Sequence, residues 1–159
     1  MIKVLQNLEK IHDKLSPIEN KEMFDSLFGI EERPIFTKVR NSAPAYYSET
    51  SNVKNSLIAD GCVIEGIVEN SVLASGVKVA RGAIIKDSVI MRNVTIGEGA
   101  TINYSIIDSY TKIGAGSTIG HTKSSNSGIA VIGSDLEIAP ASDIAGGEMV
   151  DAEWLEKNK

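Results

Sequence analysis

Large aliphatic residues recur every six positions through the middle of the chain, with a step of five completing each round. Leu73, Val79 and Ile85 are followed by Ile90, Ile96 and Ile102, and then by Ile107, Ile113 and Ile119. Position i thus matches position i+17, which sorts the aliphatics into three columns: Leu73/Ile90/Ile107, Val79/Ile96/Ile113 and Ile85/Ile102/Ile119. Two residues before most of them stands a small or β-branched side chain: Ser71, Val77, Ala83, Ser88, Val94, Ala100, Ser105, Thr111 or Ser117. Glycine is frequent one place earlier, at Gly61, Gly76, Gly82, Gly99 and Gly116. A short strand that points one aliphatic inward, a small residue in a crowded inner corner and a glycine in a strained turn account for the hexad. Three such sides close a coil, and stacked coils turn each side into a parallel sheet.

The pattern predicts a mainly β chain, a parallel β-helix of about five coils over 53–150, with hexads resuming at Ile132, Ile138, Ile144 and Val150. The hexads are interrupted once, by GHTKSSNSG at 120–128, whose Ser, Gly and Asn content predicts a loop. One word marks the repeat: VKNSLI starts at Val53, VENSVL at Val68, IKDSVI at Ile85 and INYSII at Ile102. Asn55, Asn70 and Asp87 read as turn formers beside a column of small corner residues, Ser56, Ser71, Ser88 and Ser105. The first interval is 15 residues where the next two are 17, which predicts that one wall of the first coil is cut short where the preceding segment joins.

The flanks read differently. Val4, Leu8, Ile11 and Leu15 form a helical stripe, and SPIE at 16–19 carries the signature of a second helix start, so 1–30 is predicted as a short helical segment. Residues 31–52, with two prolines and little periodicity, read as an extended linker. Residues 151–159, DAEWLEKNK, are expected to cap the last coil as a short helix, because a bare sheet edge invites aggregation.

Composition narrows the function classes. A formal charge of −5 without a basic block makes nucleic acid an unexpected partner. Apolar runs are too short for a membrane span, and no apolar signal segment follows Met1. Cys62 is the single cysteine, in keeping with a reducing, cytoplasmic setting, and reads as a small buried hydrophobe. Lys78, Arg81, Lys86, Arg92 and Lys112 read as solubilising charges on the coil exteriors.

The hexads resemble the left-handed parallel β-helices shared by acyltransferases and by the tails of sugar nucleotidyltransferases. The left hand is implied by that resemblance, since parallel crossovers are generally right-handed. RPIFTKVRNSAPAYY, NSLIADGCVIEG, VENSVLASGVKVARGAIIKDSVIM and GIAVIG are together similar to the C-terminal region of bacterial glucose-1-phosphate adenylyltransferases, in particular the D-type regulatory subunit of glycogen synthesis. That family's chemistry resides in an N-terminal Gly-rich nucleotidyltransferase domain, of which no pattern is visible here. The resemblance therefore implies an oligomerisation and allosteric domain with no catalytic residue, metal ligand or cofactor of its own. Its implied partners are the nucleotidyltransferase domain and the catalytic subunit of the same enzyme, within an oligomer. It also implies that Lys38 and Arg40, in the linker, help form an anion site for a sugar-phosphate effector, although SAPAYY stands where many relatives have a double proline followed by lysine. Two other readings stay open. A small trimeric hexapeptide acyltransferase would use His121 as general base near a bound thioester. A stand-alone interaction scaffold would need neither.

Overall fold

The computed structural model describes residues 42–122 and 128–157. The expected N-terminal helices, most of the linker, Lys38 and Arg40 lie outside the described residues. By internal contacts the chain divides into two compact units, 1–42 and 43–159. The described part of the second unit is a parallel β-solenoid with three walls.

The first wall stacks Tyr46–Tyr47, Val63–Ile64, Lys78–Val79, Thr95–Ile96, Lys112–Ile113 and Glu137–Ile138. The second stacks Asn52–Lys54, Ile67–Glu69, Ile84–Lys86, Thr101–Asn103, Thr118–Ile119 and Asp143–Ile144. The third stacks Leu57–Ile58, Val72–Leu73, Val89–Ile90, Ser105–Ile107, Ala130–Ile132 and Met149–Val150. Each wall is a sheet of six strands, so the solenoid has six coils rather than the expected five. The additional coil opens at Tyr46–Tyr47, which pair in parallel with Val63–Ile64. Exposed aromatic residues carry no hexad signal, which is why this strand escapes the periodicity.

The three predicted columns are realised in the register. Leu73 pairs with Ile90 and Ile90 with Ile107; Val79 with Ile96 and Ile96 with Ile113; Ile85 with Ile102 and Ile102 with Ile119. All nine of these side chains are at most 3% exposed and form one continuous core. Burying each aliphatic contributes roughly 1.5–3 kcal/mol, so the stacked columns supply the main drive to fold.

The corners are held by the polar half of the repeated word. Ser71 Oγ accepts from the Ser88 backbone N–H at 3.1 Å, and Ser88 Oγ accepts from that of Ser105 at 3.1 Å. Each hydroxyl in turn donates to the carbonyl two residues before it, Glu69 for Ser71 and Lys86 for Ser88. The residue preceding each serine adopts a left-handed conformation: Asn55, Asn70, Asp87 and Tyr104 have φ of 45–48°. Asn and Asp tolerate that region better than most residues, and their side chains also bond in series, Asn55 Nδ2 donating to Asn70 Oδ1 at 2.9 Å. The backbone N–H groups of Asn70, Asp87 and Tyr104 each donate to a carbonyl of the preceding coil.

The 15-residue interval is a shortened corner, in the second coil. Between the first and second walls, Ile64 is joined to Ile67 by Glu65 and Gly66 alone, whereas Val79 is joined to Ile84 by four residues, Ala80–Ala83. The expectation of a wall cut short in the first coil is thus corrected: the walls keep their strands and the turn gives way. Gly66 makes this possible. A Cβ there would press on the Ala83 carbonyl oxygen of the next coil, which accepts the Ile67 N–H at 2.8 Å.

At the far end, helix α1 (Ala152–Lys157) packs Trp154 and Leu155 against the core, as the expected cap. Asp151 Oδ1 accepts the Trp154 N–H at 2.8 Å at its start.

Two predictions follow from this stacking. Gly66→Ala should destabilise the fold by about 1–3 kcal/mol, the range for overpacking a tight site, measured by urea unfolding. Gly99→Ala, whose added Cβ meets nothing within 4 Å, should show only the smaller cost of its positive φ. Ser88→Ala removes the acceptor for the buried Ser105 N–H, and should cost about 1–3 kcal/mol in the same assay.

Candidate functional site

Each sequence candidate can now be placed, except Lys38 and Arg40, which lie outside the described residues. His121 is exposed at the point where the chain leaves the fifth coil. Its Nδ1 accepts the backbone N–H of Gly146, in the sixth coil, at 2.8 Å. That bond engages the Nδ1 lone pair within the fold. The arrangement makes His121 a strut between two coils.

Cys62 is 1% exposed, in the corner between the third and first walls. It precedes Val63, which pairs with Lys78, so it stacks on Val77 rather than in the corner of Ala83 and Ala100. Burial pushes its thiol pKa up, and the S–H donates to the Ala74 carbonyl at 3.2 Å. This is the environment of an inert structural cysteine.

The exterior cations are distributed along the solenoid. Lys78, Arg81, Arg92 and Lys112 are exposed and Lys86 is half-buried. Lys86 pairs with Glu69 at 2.9 Å one coil away, and Lys112 pairs with Glu137. That lysine holds the Glu137 carboxyl below the usual carboxylate range, through its hydrogen bond first and its charge second. Among the described residues, no group of three or more His, Cys, Asp or Glu is gathered as a metal site would need. No helix among them is long and apolar enough to cross a membrane.

What the solenoid offers instead is flat wall faces, and these differ. The outward column of the first wall reads Tyr46, Val63, Lys78, Thr95, Lys112, Glu137. In the second wall, outward Ile67, Ile84, Thr101, Thr118 and Asp143 are flanked by Lys54, Glu69, Lys86 and Asn103. The outward column of the third wall is aliphatic throughout: Leu57, Val72, Val89, Ile106, Val131, Met149. The sequence held the signal in its repeated word, since NSLI, NSVL, DSVI and YSII each end on two aliphatics, one facing inward and one outward.

Comparison with known proteins bears on what such faces serve. Glycogen biosynthesis protein GlgD of Geobacillus stearothermophilus is 48% identical over 65 residues, 41% of this chain and 19% of that protein. GlgD of Bacillus subtilis is 38% identical over 79 residues, 50% of this chain and 23% of that protein. Glucose-1-phosphate adenylyltransferase of Desulfitobacterium hafniense is 32% identical over 146 residues, 90% of this chain and 36% of that protein. The chain therefore spans between about a fifth and a third of the length of these relatives. Among solved structures, a putative acetyltransferase from Desulfovibrio desulfuricans matches with a TM-score of 0.58 at 18% identity, over 86% of this chain and 30% of that one. The acetyltransferase domain of PglB from Neisseria gonorrhoeae, in complex with acetyl coenzyme A, matches with a TM-score of 0.55 at 23% identity, over 70% of this chain and 56% of that one. At such identities the likeness is one of fold. The family model described as "GlmU-like, C-terminal hexapeptide" matches residues 42–133, which takes in the stacked walls from the first coil through the return to the third wall, and the chain belongs to that family.

Proposed function

We propose that this chain is the hexapeptide-repeat domain of a glucose-1-phosphate adenylyltransferase-type subunit of glycogen synthesis, acting in assembly and regulation and not in catalysis. The observation that carries the reading is the 32% identity to the Desulfitobacterium adenylyltransferase across 90% of the chain, beyond the hexads common to the wider fold. The two GlgD proteins point the same way. The site inventory supports it. The described residues present walls and corners suited to docking, and the two side chains weighed as nucleophile or base are engaged within the fold, Cys62 in the core and His121 as a strut.

In this reading the chain's partners are a nucleotidyltransferase domain and the catalytic subunit of the same enzyme. Lys38 and Arg40, two residues apart in the stretch whose sequence reads as an extended linker, would meet the phosphate of a sugar-phosphate effector. The rival reading, an acyltransferase, is favoured by the acetyltransferase folds alone. It also needs a general base, and the candidate His121 is engaged at Nδ1 by the Gly146 N–H.

The test uses the longer subunit that carries this sequence, assayed with its partner by coupled ADP-glucose formation. Deleting the segment equivalent to 43–159 should change the oligomer size and abolish the effector response. Lys38→Ala with Arg40→Ala should weaken the effector response by about tenfold or more, the loss of two charge-assisted contacts, while leaving the oligomer intact. Unchanged size and regulation in the deletion would overturn the proposal, as would acetyl-coenzyme A turnover by the chain that disappears with His121→Ala.

A further inference from the structure

At the corner between the second and third walls, the first four coils are joined through hydroxyls. The backbone N–H groups of Ser71, Ser88 and Ser105 each donate to the serine one coil back. A serine hydroxyl does not titrate in the working range of a protein, so these joints are indifferent to pH. The column ends at Ser105, because the residue paired with it in the next coil is Ala130, beyond the point where the chain leaves the solenoid. Ser105 Oγ is 3.4 Å from the Ile119 carbonyl oxygen instead.

The same corner in the sixth coil is the turn at 145–148, closed by a long bond from the Glu148 N–H to the Ala145 carbonyl at 3.4 Å. Its flanks are held to the fifth coil by wall bonds of 2.8 Å, Gly120 N–H to the Ile144 carbonyl and Val131 N–H to the Glu148 carbonyl. Its middle is held by His121, whose Nδ1 accepts the Gly146 N–H. Gly147 also lies against Gly128, where the chain returns: a Cβ on Gly128 would sit 3.4 Å from the Gly147 Cα. The turn therefore touches both the exit and the return of the excursion, and its bond to the exit runs through an imidazole.

We infer that His121 is a proton-operated latch on the last coil. A neutral ring that accepts at Nδ1 carries its hydrogen on Nε2, so the next proton goes to Nδ1 and turns the acceptor into a donor. Facing the Gly146 N–H, that donor cannot keep the bond, and the turn is released at its middle while the wall bonds at its flanks remain. The sign follows from this: the bond is present in the upper part of the imidazole range and lost as pH falls through it. The ring is exposed, so the proton arrives from solvent without any opening of the fold. The ionisable groups on the adjoining elements are Tyr104, at the same corner of the fourth coil, and Asp143 and Glu148 in the sixth. Phenols and carboxylates ordinarily titrate outside the imidazole window. The released turn leads into Met149–Val150, the last strand before the C-terminal helix. The latch goes beyond the assembly reading and does not rest on it.

The test is amide hydrogen exchange of the 159-residue chain, followed by NMR from about pH 8 to about pH 5.5, with each rate divided by the intrinsic rate at that pH. Protection of the Gly146 N–H should fall about fivefold or more, the loss of one hydrogen bond, while Gly120 and Val131 keep theirs. His121→Ala should give the low Gly146 value at both ends of the range. His121→Asn, whose side-chain amide does not titrate, should remove the pH dependence whatever protection it sets, and His12→Gln should leave it intact. Thermal unfolding checks that each variant keeps its fold; should one fail there, the unsubstituted chain still decides, with the two wall amides as internal reference. Gly146 protection that does not move with pH overturns the inference. So does a fall shared by Gly120 and Val131, one that persists in His121→Asn, or one that disappears with His12→Gln.

Discussion

The fold depends on each coil lying in register over the one before it. Between coils, wall strands exchange backbone hydrogen bonds, and at the corners the left-handed residues donate theirs across the same gap. The serine column adds a side-chain bond to the first three steps, with Ser56, Ser71 and Ser88 each accepting an N–H from the serine of the following coil. These groups are desolvated as the coils stack, and a buried N–H without an acceptor is costly. A coil must therefore return its chain to the same three corners every time. The repeat length is a consequence of that closure, and the inward aliphatics align because the corners do.

Departures from the period show what the closure tolerates. In the second coil two residues are absent from one corner, and Gly66 absorbs the shortfall by letting the next coil's carbonyl occupy the space of a side chain. In the fifth coil extra residues leave after Gly120, yet Ala130–Ile132 rejoin the third wall in register with Ser105–Ile107. His121 sits at that exit and ties it to Gly146 of the sixth coil. Insertions and deletions are thus confined to turns, and the walls carry through. The outer columns accordingly keep their register past both the short corner and the exit after Gly120.

The register constrains only the inward half of each strand. Outward positions are free to vary, and the three walls use that freedom differently: the first two mix charges with β-branched residues, while the third repeats aliphatics. The serine corner and the aliphatic outer face occur in the same repeated word, so the most regular stretch of the chain encodes a stacking device and a surface at once.

Much of this was legible in the sequence. Period, inward columns, inner-corner residues and C-terminal cap were readable because each depends on side-chain size and spacing along one strand or turn. The turn-forming Asn and Asp column was readable for the same local reason. Tyr46–Tyr47 became a strand only by pairing with Val63–Ile64, a contact between segments that no local pattern announces. The corner that holds Cys62, the bond from Gly146 to His121 and the continuity of the outer aliphatic column likewise arise from residues one coil or more apart. The sequence by itself determined that coils form and what fills them, since closure acts through neighbours in the chain. The tertiary structure decided how many coils there are, where the short corner falls and which residues share a face, because stacking joins positions 15 to 25 residues apart.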